Sequence, residues 1–341
     1  MVSEPSASSS GKTRRSFLAA TGVGTALALA GCTGSNGETT VRMRTSTSET
    51  TAYGANQGIA DAVNDQSDDL FVEAQTSQGT EANLGALNNE EAEMVYIQNW
   101  SAQEVREGAD SFAELEFEMT QVFHFYDLPW FFITDEDLET LSDIESGMTV
   151  SPTPEGSGTA PALERALEHA VDDYDRGSAT YGEQGNQMNE NQLDVGVGTL
   201  MNFGIVPGWL DEIAGSVDDL RVLDISDETA EAWAGDDRIL DQTVDTGVID
   251  NADTPGEIPA PTFAYNFIAR NDLDRDTVYN FLEAMYAQRE ELGEYHAVLG
   301  TFEDEAFWVD NMYDDVPFHE GAADFYEDND MWSDDFVRAD E

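Results

Sequence analysis

The stretch from Met148 to Tyr174, MTVSPTPEGSGTAPALERALEHAVDDY, limits the possible folds most sharply. A short β-like run leads into a loop of Pro, Gly, Ser and Thr. An amphipathic helix follows, in which Leu163, Ala166, Leu167, Ala170 and Val171 recur at helical spacing. Pro161 sits where a first helical turn tolerates it, which predicts a helix starting near Thr159. The first N–H groups of such a helix lack intrahelical partners and carry the positive end of its dipole. Gly156, Ser157, Gly158 and Thr159 therefore form a loop able to wrap a carboxylate or another polar group.

The same strand, polar loop and helix design occurs twice earlier. Thr40 to Thr45 alternates as a strand and feeds the loop STSETTAYG, residues 46–54, and then a helix through Ile59, Ala60 and Val63. Leu70 to Ala74 reads as a strand, Thr76 to Thr80 as its loop, and the next helix carries Asn83 in its first turn with Leu84 and Leu87 facing inward. Glu93 to Gln98 is a further strand, with Asn99 and Trp100 at its carboxyl end.

Two long aromatic segments stand apart. QVFHFYDLPWFFIT, residues 121–134, is strand-like with Pro129 interrupting it, and TFAYNFIAR, residues 262–270, is a second long strand. They read as a pair of crossings between two lobes. Between them, Leu193 to Thr199 and Leu220 to Ile225 are predicted strands, a helix carries Trp209 and Ile213, and Pro255 to Pro261 is predicted loop. Asp274 to Tyr326 is predicted largely helical. Strands alternating with helices imply mainly parallel sheets, whose ligands collect at the carboxyl ends of strands. Two such sheets are expected to share one cleft.

Length and charge fit this plan. A chain of 341 residues, 40% hydrophobic, suffices for two ordinary lobes. Its 14 basic and 71 acidic residues give a net charge of −57, and its only lysine is Lys12. So dense a field of carboxylates repels itself in dilute buffer, whereas molar salt shortens the screening length to about 3 Å. The composition reads as salt adaptation, and it makes nucleic acid and anionic membrane surfaces poor partners.

KTRRSFLAATGVGTALALAGC, residues 12–32, places Arg14 and Arg15 before an apolar run too short for a membrane span of about 20 residues. It resembles a twin-arginine export signal, and Leu29-Ala30-Gly31-Cys32 resembles a lipobox. Cys32 is the only cysteine, so intrachain disulfides are excluded and lipid attachment is its expected role. The organisation expected is a signal over 1–32, a flexible tether over 33–39, lobe I over 40–125 and 270–341, and lobe II over 126–269.

Thr51-Ala52-Tyr53, Gly79-Thr80-Glu81-Ala82-Asn83-Leu84, Ala92-Glu93-Met94, Gly156-Ser157-Gly158-Thr159, Leu193-Asp194, Gly204-Ile205-Val206-Pro207 and Val316-Pro317-Phe318-His319-Glu320-Gly321-Ala322 occur in this order. In that order they resemble the TAXI family of solute receptors of tripartite ATP-independent periplasmic (TRAP) transporters, in a halophilic archaeal form. The resemblance implies a type II periplasmic-binding fold, two α/β lobes joined by two crossing strands with the ligand cleft between them. It implies a monomeric, lipid-anchored receptor on the outer face of the cell membrane. Such a receptor closes on a small organic acid or amino acid of the glutamate, glutamine or 2-oxoglutarate kind and passes it to a TRAP permease. The ligand-binding positions carried over are Thr51, Tyr53, Thr80, Asn83, Gln98, Ser157, Gly158 and Thr159.

Glu49 and Thr50 depart from the glycine pair common in that family, and Glu155 is a second acid beside the facing loop. Either both acids point to solvent or the ligand carries a positive charge. For Thr51, Thr80 and Thr159 the plain alternative role is helix capping, and Tyr53, Tyr96, Trp100, Tyr126 and Trp209 are divided between cleft and core. His124, His169, His296 and His319 show no metal-ligand spacing, and no nucleophile elbow, phosphate loop or dinucleotide fingerprint occurs, so neither enzyme activity nor a cofactor or metal is expected. Two other readings remain: a type II binding protein of an ATP-driven (ABC) importer, and a cell-surface lipoprotein without ligand.

Overall fold

The computed structural model describes residues 38–339 apart from 49, 110, 111, 155, 156 and 315. The twin-arginine segment, the Cys32 anchor, most of the tether, Glu49, Glu155 and Gly156 lie outside the described residues. No helix of the described residues is long and apolar enough to cross a membrane.

The first part of the chain alternates strictly: β1 (Thr39–Arg44), α1 (Thr51–Gln66), β2 (Leu70–Gln75), α2 (Thr80–Asn88), β3 (Met94–Gln98) and α3 (Asn99–Glu107). β1 lies between β2 and β3, parallel to both. Helices return the chain over the sheet, so all three strands end on one side. The long β4 (Met119–Thr134) follows, then β5 (Thr149–Val150), α4 (Ala160–Glu168), β6 (Asp175–Arg176), α5 (Gln184–Asn189), β7 (Val195–Thr199), α6 (Gly208–Ser216), β8 (Arg221–Val222), α7 (Asp227–Ala234) and β9 (Leu240–Asp245). β10 (Glu257–Arg270) is antiparallel to both β3 and β4. The chain closes with α8 (Arg275–Ala287), α9 (Leu292–Tyr295), two short 3-10 turns and α10 (Glu320–Asp328).

β4 and β10 belong to both halves. β4 pairs with β10 up to Pro129 opposite Thr262, and from Trp130 onward it pairs with β7 and β8. Pro129 therefore does not break the strand. It stands where one partner hands over to the next, and its carbonyl accepts from Thr199 Oγ1 at 2.7 Å. Ten strands are consequently hydrogen-bonded into one network, in the order β2-β1-β3-β10-β4-β7-β5-β6 with β8 on β4 and β9 on β10. Two sheets were expected; the structure has two strand groups sharing their crossing strands, because these are 16 and 14 residues long and reach into both.

Several boundaries differ from the sequence reading. Residues 257–261, expected as loop, form the start of β10, with Pro259 and Pro261 opposite Thr243 and Asp241 of β9. Prolines are tolerated there because β10 is paired along one edge only over that stretch. β8 is shorter than expected, and β6, β9 and α7 were not anticipated. In α4, Leu163, Ala166 and Leu167 are fully buried, and the helix ends at Glu168, so Val171 packs from beyond its end.

Candidate ligand site

The loops that follow β1, β2 and β5, and the start of α3 directly after β3, lie at the carboxyl ends of these strands. Ser77 N donates to Ser46 O at 2.9 Å, tying the loop after β2 to the one after β1. Asn83, fully buried in the first turn of α2, donates Nδ2 to Thr45 O at 2.8 Å and to Tyr96 O at 2.9 Å, fixing α2 across the ends of β1 and β3. Gln98 ends β3, and its Nε2 donates to Gly158 O at 2.9 Å and to Ser101 Oγ at 3.3 Å. The Gln98–Gly158 bond joins the first strand group to the loop that follows β5. Within that loop Ser157 Oγ and Thr159 Oγ1 are 2.8 Å apart, and the Tyr181 hydroxyl lies against both.

Aromatic rings complete the site. Tyr96, Tyr126 and Tyr265, from β3, β4 and β10, are stacked, with Tyr265 5.0 Å from Tyr96 and 4.9 Å from Tyr126 between centroids. Ser46 and Tyr126 stand beside the Tyr96 hydroxyl. Tyr181 lies between Trp130 at 5.5 Å and Trp209 at 5.2 Å. Burial raises the pKa of Tyr96, Tyr126, Tyr181 and Tyr265, so these hydroxyls remain neutral donors and acceptors.

Buried polar atoms without a hydrogen-bond partner among the described residues concentrate here. Thr45 Oγ1, Ser77 Oγ, Asn83 Oδ1, Gln98 Oε1 and Trp100 Nε1 come from the first strand group, and Trp130 Nε1 and Thr153 Oγ1 from the second. Thr45, Ser77, Gln98 and Thr153 lie at or just past the carboxyl ends of β1, β2, β3 and β5. A buried donor or acceptor left unpaired costs about 1–3 kcal/mol, so so many in one place need a partner that the chain does not supply. All of them are neutral.

Of the eight residues carried over from the family resemblance, Gln98, Ser157, Gly158 and Thr159 are brought together, and Asn83 is held at the adjoining strand ends. Thr51, Tyr53 and Thr80 stand partly exposed in the first turns of α1 and α2, with no side-chain hydrogen bond to that group among the described residues. Thr51 and Thr80 are not caps, and Thr159 holds the cap position of α4 without a side-chain cap bond. Thr50, not Thr51, caps α1 by accepting from Tyr53 N at 3.2 Å, Gly79 holds the cap position of α2, and Thr159 turns its hydroxyl to Ser157. Thr45, Ser77, Trp130, Thr153, Tyr181 and Tyr265 were not singled out from sequence. A polar residue directly after a buried strand was the available signal for Thr45, and one three positions past a strand for Thr153; nothing local marks Tyr181. Three hollows elsewhere on the described surface, of about 480, 920 and 450 Å³, are lined by none of the eight residues.

The described residues form an α/β fold of two strand groups that share crossing strands, with unpaired polar groups at the strand ends. The chain belongs to the NMT1-like family, whose profile matches residues 43–329. Among solved structures, it is similar to a protein of Archaeoglobus fulgidus (13% identity, 86% of this chain and 98% of that one, TM-score 0.44). It is also similar to the periplasmic aliphatic sulphonate binding protein SsuA of Escherichia coli (13%, 77% and 74%, 0.46). A third is from work on glutathione import in Streptococcus mutans by GshT and a cystine importer (15%, 77% and 95%, 0.45). These are likenesses alone, and no ligand is carried across from them. No curated protein matches the chain.

Proposed function

We propose that this protein is the extracytoplasmic receptor of a TRAP-type secondary transporter, holding one small solute between lobe I (40–125 and 270–341) and lobe II (126–269). The reading rests on one observation above all: unpaired buried polar atoms at strand ends in both strand groups, with Gln98 and Gly158 joined across them. Thr51, Tyr53, Thr80, Asn83, Gln98, Ser157, Gly158 and Thr159 contact the solute, joined by Thr45, Ser77, Thr153 and Tyr181. Its work is differential affinity between open and closed states, with neutral donors and acceptors replacing the solute's lost water.

The amide of Gln98 narrows the solute. Gly158 O can only accept, so Nε2 must face it and Oε1 is left as an acceptor. Asn83 is fixed the same way by two carbonyls. These oxygens call for a donor on the solute, which favours an amino acid over the corresponding oxo acid, while the N-termini of α1, α2 and α4 suit its carboxylate. Calorimetric titration in molar salt with glutamate, glutamine, 2-oxoglutarate and four-carbon dicarboxylates tests this. Tightest binding of an amino acid is expected; silence from the whole panel would favour a lipoprotein without ligand. Export through the twin-arginine signal, lipid attachment at Cys32 and a monomeric state belong to the same proposal. Transport assays with a TRAP permease set against an ATP-driven importer decide the membrane partner.

A further inference from the structure

We infer that His124 and Asp127 hold a buried proton, as an imidazolium–carboxylate pair, that fastens the two crossing strands to each other and to the C-terminal segment. Neither residue belongs to the ligand site. Both lie in β4, 0% and 1% exposed.

The hydrogen bonds leave little freedom. Asn266 of β10 donates Nδ2 to the Asn311 carbonyl at 3.2 Å, so its Oδ1 is the atom that faces His124 Nδ1, 2.8 Å away. An amide oxygen cannot donate, so Nδ1 carries a proton. His124 Nε2 then lies 3.2 Å from Asp127 Oδ2, an ion-pair contact outside hydrogen-bond angles. With Nδ1 already protonated, a neutral ring would set the Nε2 lone pair against a carboxylate oxygen. A proton on Nε2 removes that repulsion. The ring of contacts closes through Asn311, whose Nδ2 donates to the same Asp127 Oδ2 at 2.8 Å.

Among the described residues, the groups acting on His124 are acidic or neutral. The Phe307 ring meets the imidazole edge to face at 4.7 Å, and Asp310 adds a second negative field from the C-terminal segment. Tyr313, held neutral by burial, accepts from Asn266 N and donates to Ile97 O. Burial opposes charge on His124, but Asp127, Asn266 and Asp310 outweigh it and raise its pKa. The ring also reaches beyond the crossing strands. Gln242 of β9 donates to Asn311 Oδ1 at 2.8 Å, and Asp127 N donates to Asn202 Oδ1, whose Nδ2 reaches Thr301 Oγ1 at 3.0 Å. Loss of the proton therefore loosens β4, β9, β10 and the C-terminal segment together.

A histidine whose folded pKa is raised contributes stability below its unfolded value, and that stability is lost as pH rises through the folded pKa. Nitrogen-15 spectra of histidine-labelled protein, with His124 assigned by the signal missing in His124→Gln, read the ring directly. Just above about pH 6.5, where a free imidazole has lost most of its charge, both nitrogens of His124 are expected to stay protonated. A singly protonated His124 overturns the inference, and its contact with the Phe307 ring at 4.7 Å assigns the signal in the wild type even if a variant fails to fold. In Asp127→Asn the second proton is expected to be lost, together with the wild-type fall in Tm above neutral pH. A fall of equal size in that variant also overturns it.

Discussion

Gln98 and Gly158, 60 positions apart in the chain, meet through a 2.9 Å hydrogen bond from the Gln98 amide to the Gly158 carbonyl. One ends a strand of the first group and the other lies in the loop before α4. The bond both draws the loop onto β3 and fixes which end of the Gln98 amide is offered to a solute.

Gln98→Ala removes the bridge and the acceptor together. Affinity for the amino acid found by titration is expected to fall by about 1–3 kcal/mol, roughly fivefold to 150-fold. Unchanged affinity would remove Gln98 from the site.

Tyr181→Phe keeps the stack between Trp130 and Trp209 and deletes only the hydroxyl against Ser157 and Thr159. Solute affinity should drop by about 1 kcal/mol while urea unfolding changes little, since Ser157 and Thr159 still bond each other. Equal losses in both measurements would make Tyr181 structural.

Gly321 opens α10 against the start of α8. A Cβ there would overlap the Arg275 carbonyl and stand 2.9 Å from Tyr279 N, both backbone atoms that cannot swing aside. Gly321→Ala should therefore destabilise by about 1–3 kcal/mol in urea titration, with solute affinity of the folded fraction retained.

Asp236 ties α4 to the chain after α7. Burial pushes its carboxyl up, but hydrogen bonds from Arg165 and His169 prevail and lower its pKa from 3.8 to about 2. A depressed carboxylate stabilises above its unfolded pKa and loses that contribution as pH falls through the folded one. The wild type should lose Tm between about pH 4 and pH 2 more steeply than Asp236→Asn, measured at constant salt.

The acidic surface gives a fifth expectation. Thermal midpoints should rise markedly from dilute to molar potassium chloride, as the screening length shortens from about 30 Å to about 3 Å. Insensitivity to salt would mean that the 71 acidic side chains are not repelling one another.

The strand, loop and helix modules were legible because hydrophobic periodicity and loop composition are local properties, and β1, β2, β3, α1, α2 and α4 fall within a few residues of where they were read. The two aromatic crossings were legible for the same reason. β5 and β8 were read from the longer apolar runs around them, whereas the two-residue β6 carries too little pattern to be read alone and β9 pairs along the edge that β10 offers.

By itself the sequence determined the α/β alternation, the charge and the polar loops at helix starts. Tertiary structure alone decided that Thr50 rather than Thr51 caps α1, that Tyr181 stands over Ser157 and Thr159, and that His124, Asp127, Asn266 and Asn311 close a ring. The reason is physical: periodicity sets which face of an element is buried, whereas the partner of a buried amide, hydroxyl or carboxylate is set by segments that pack against it from elsewhere in the chain.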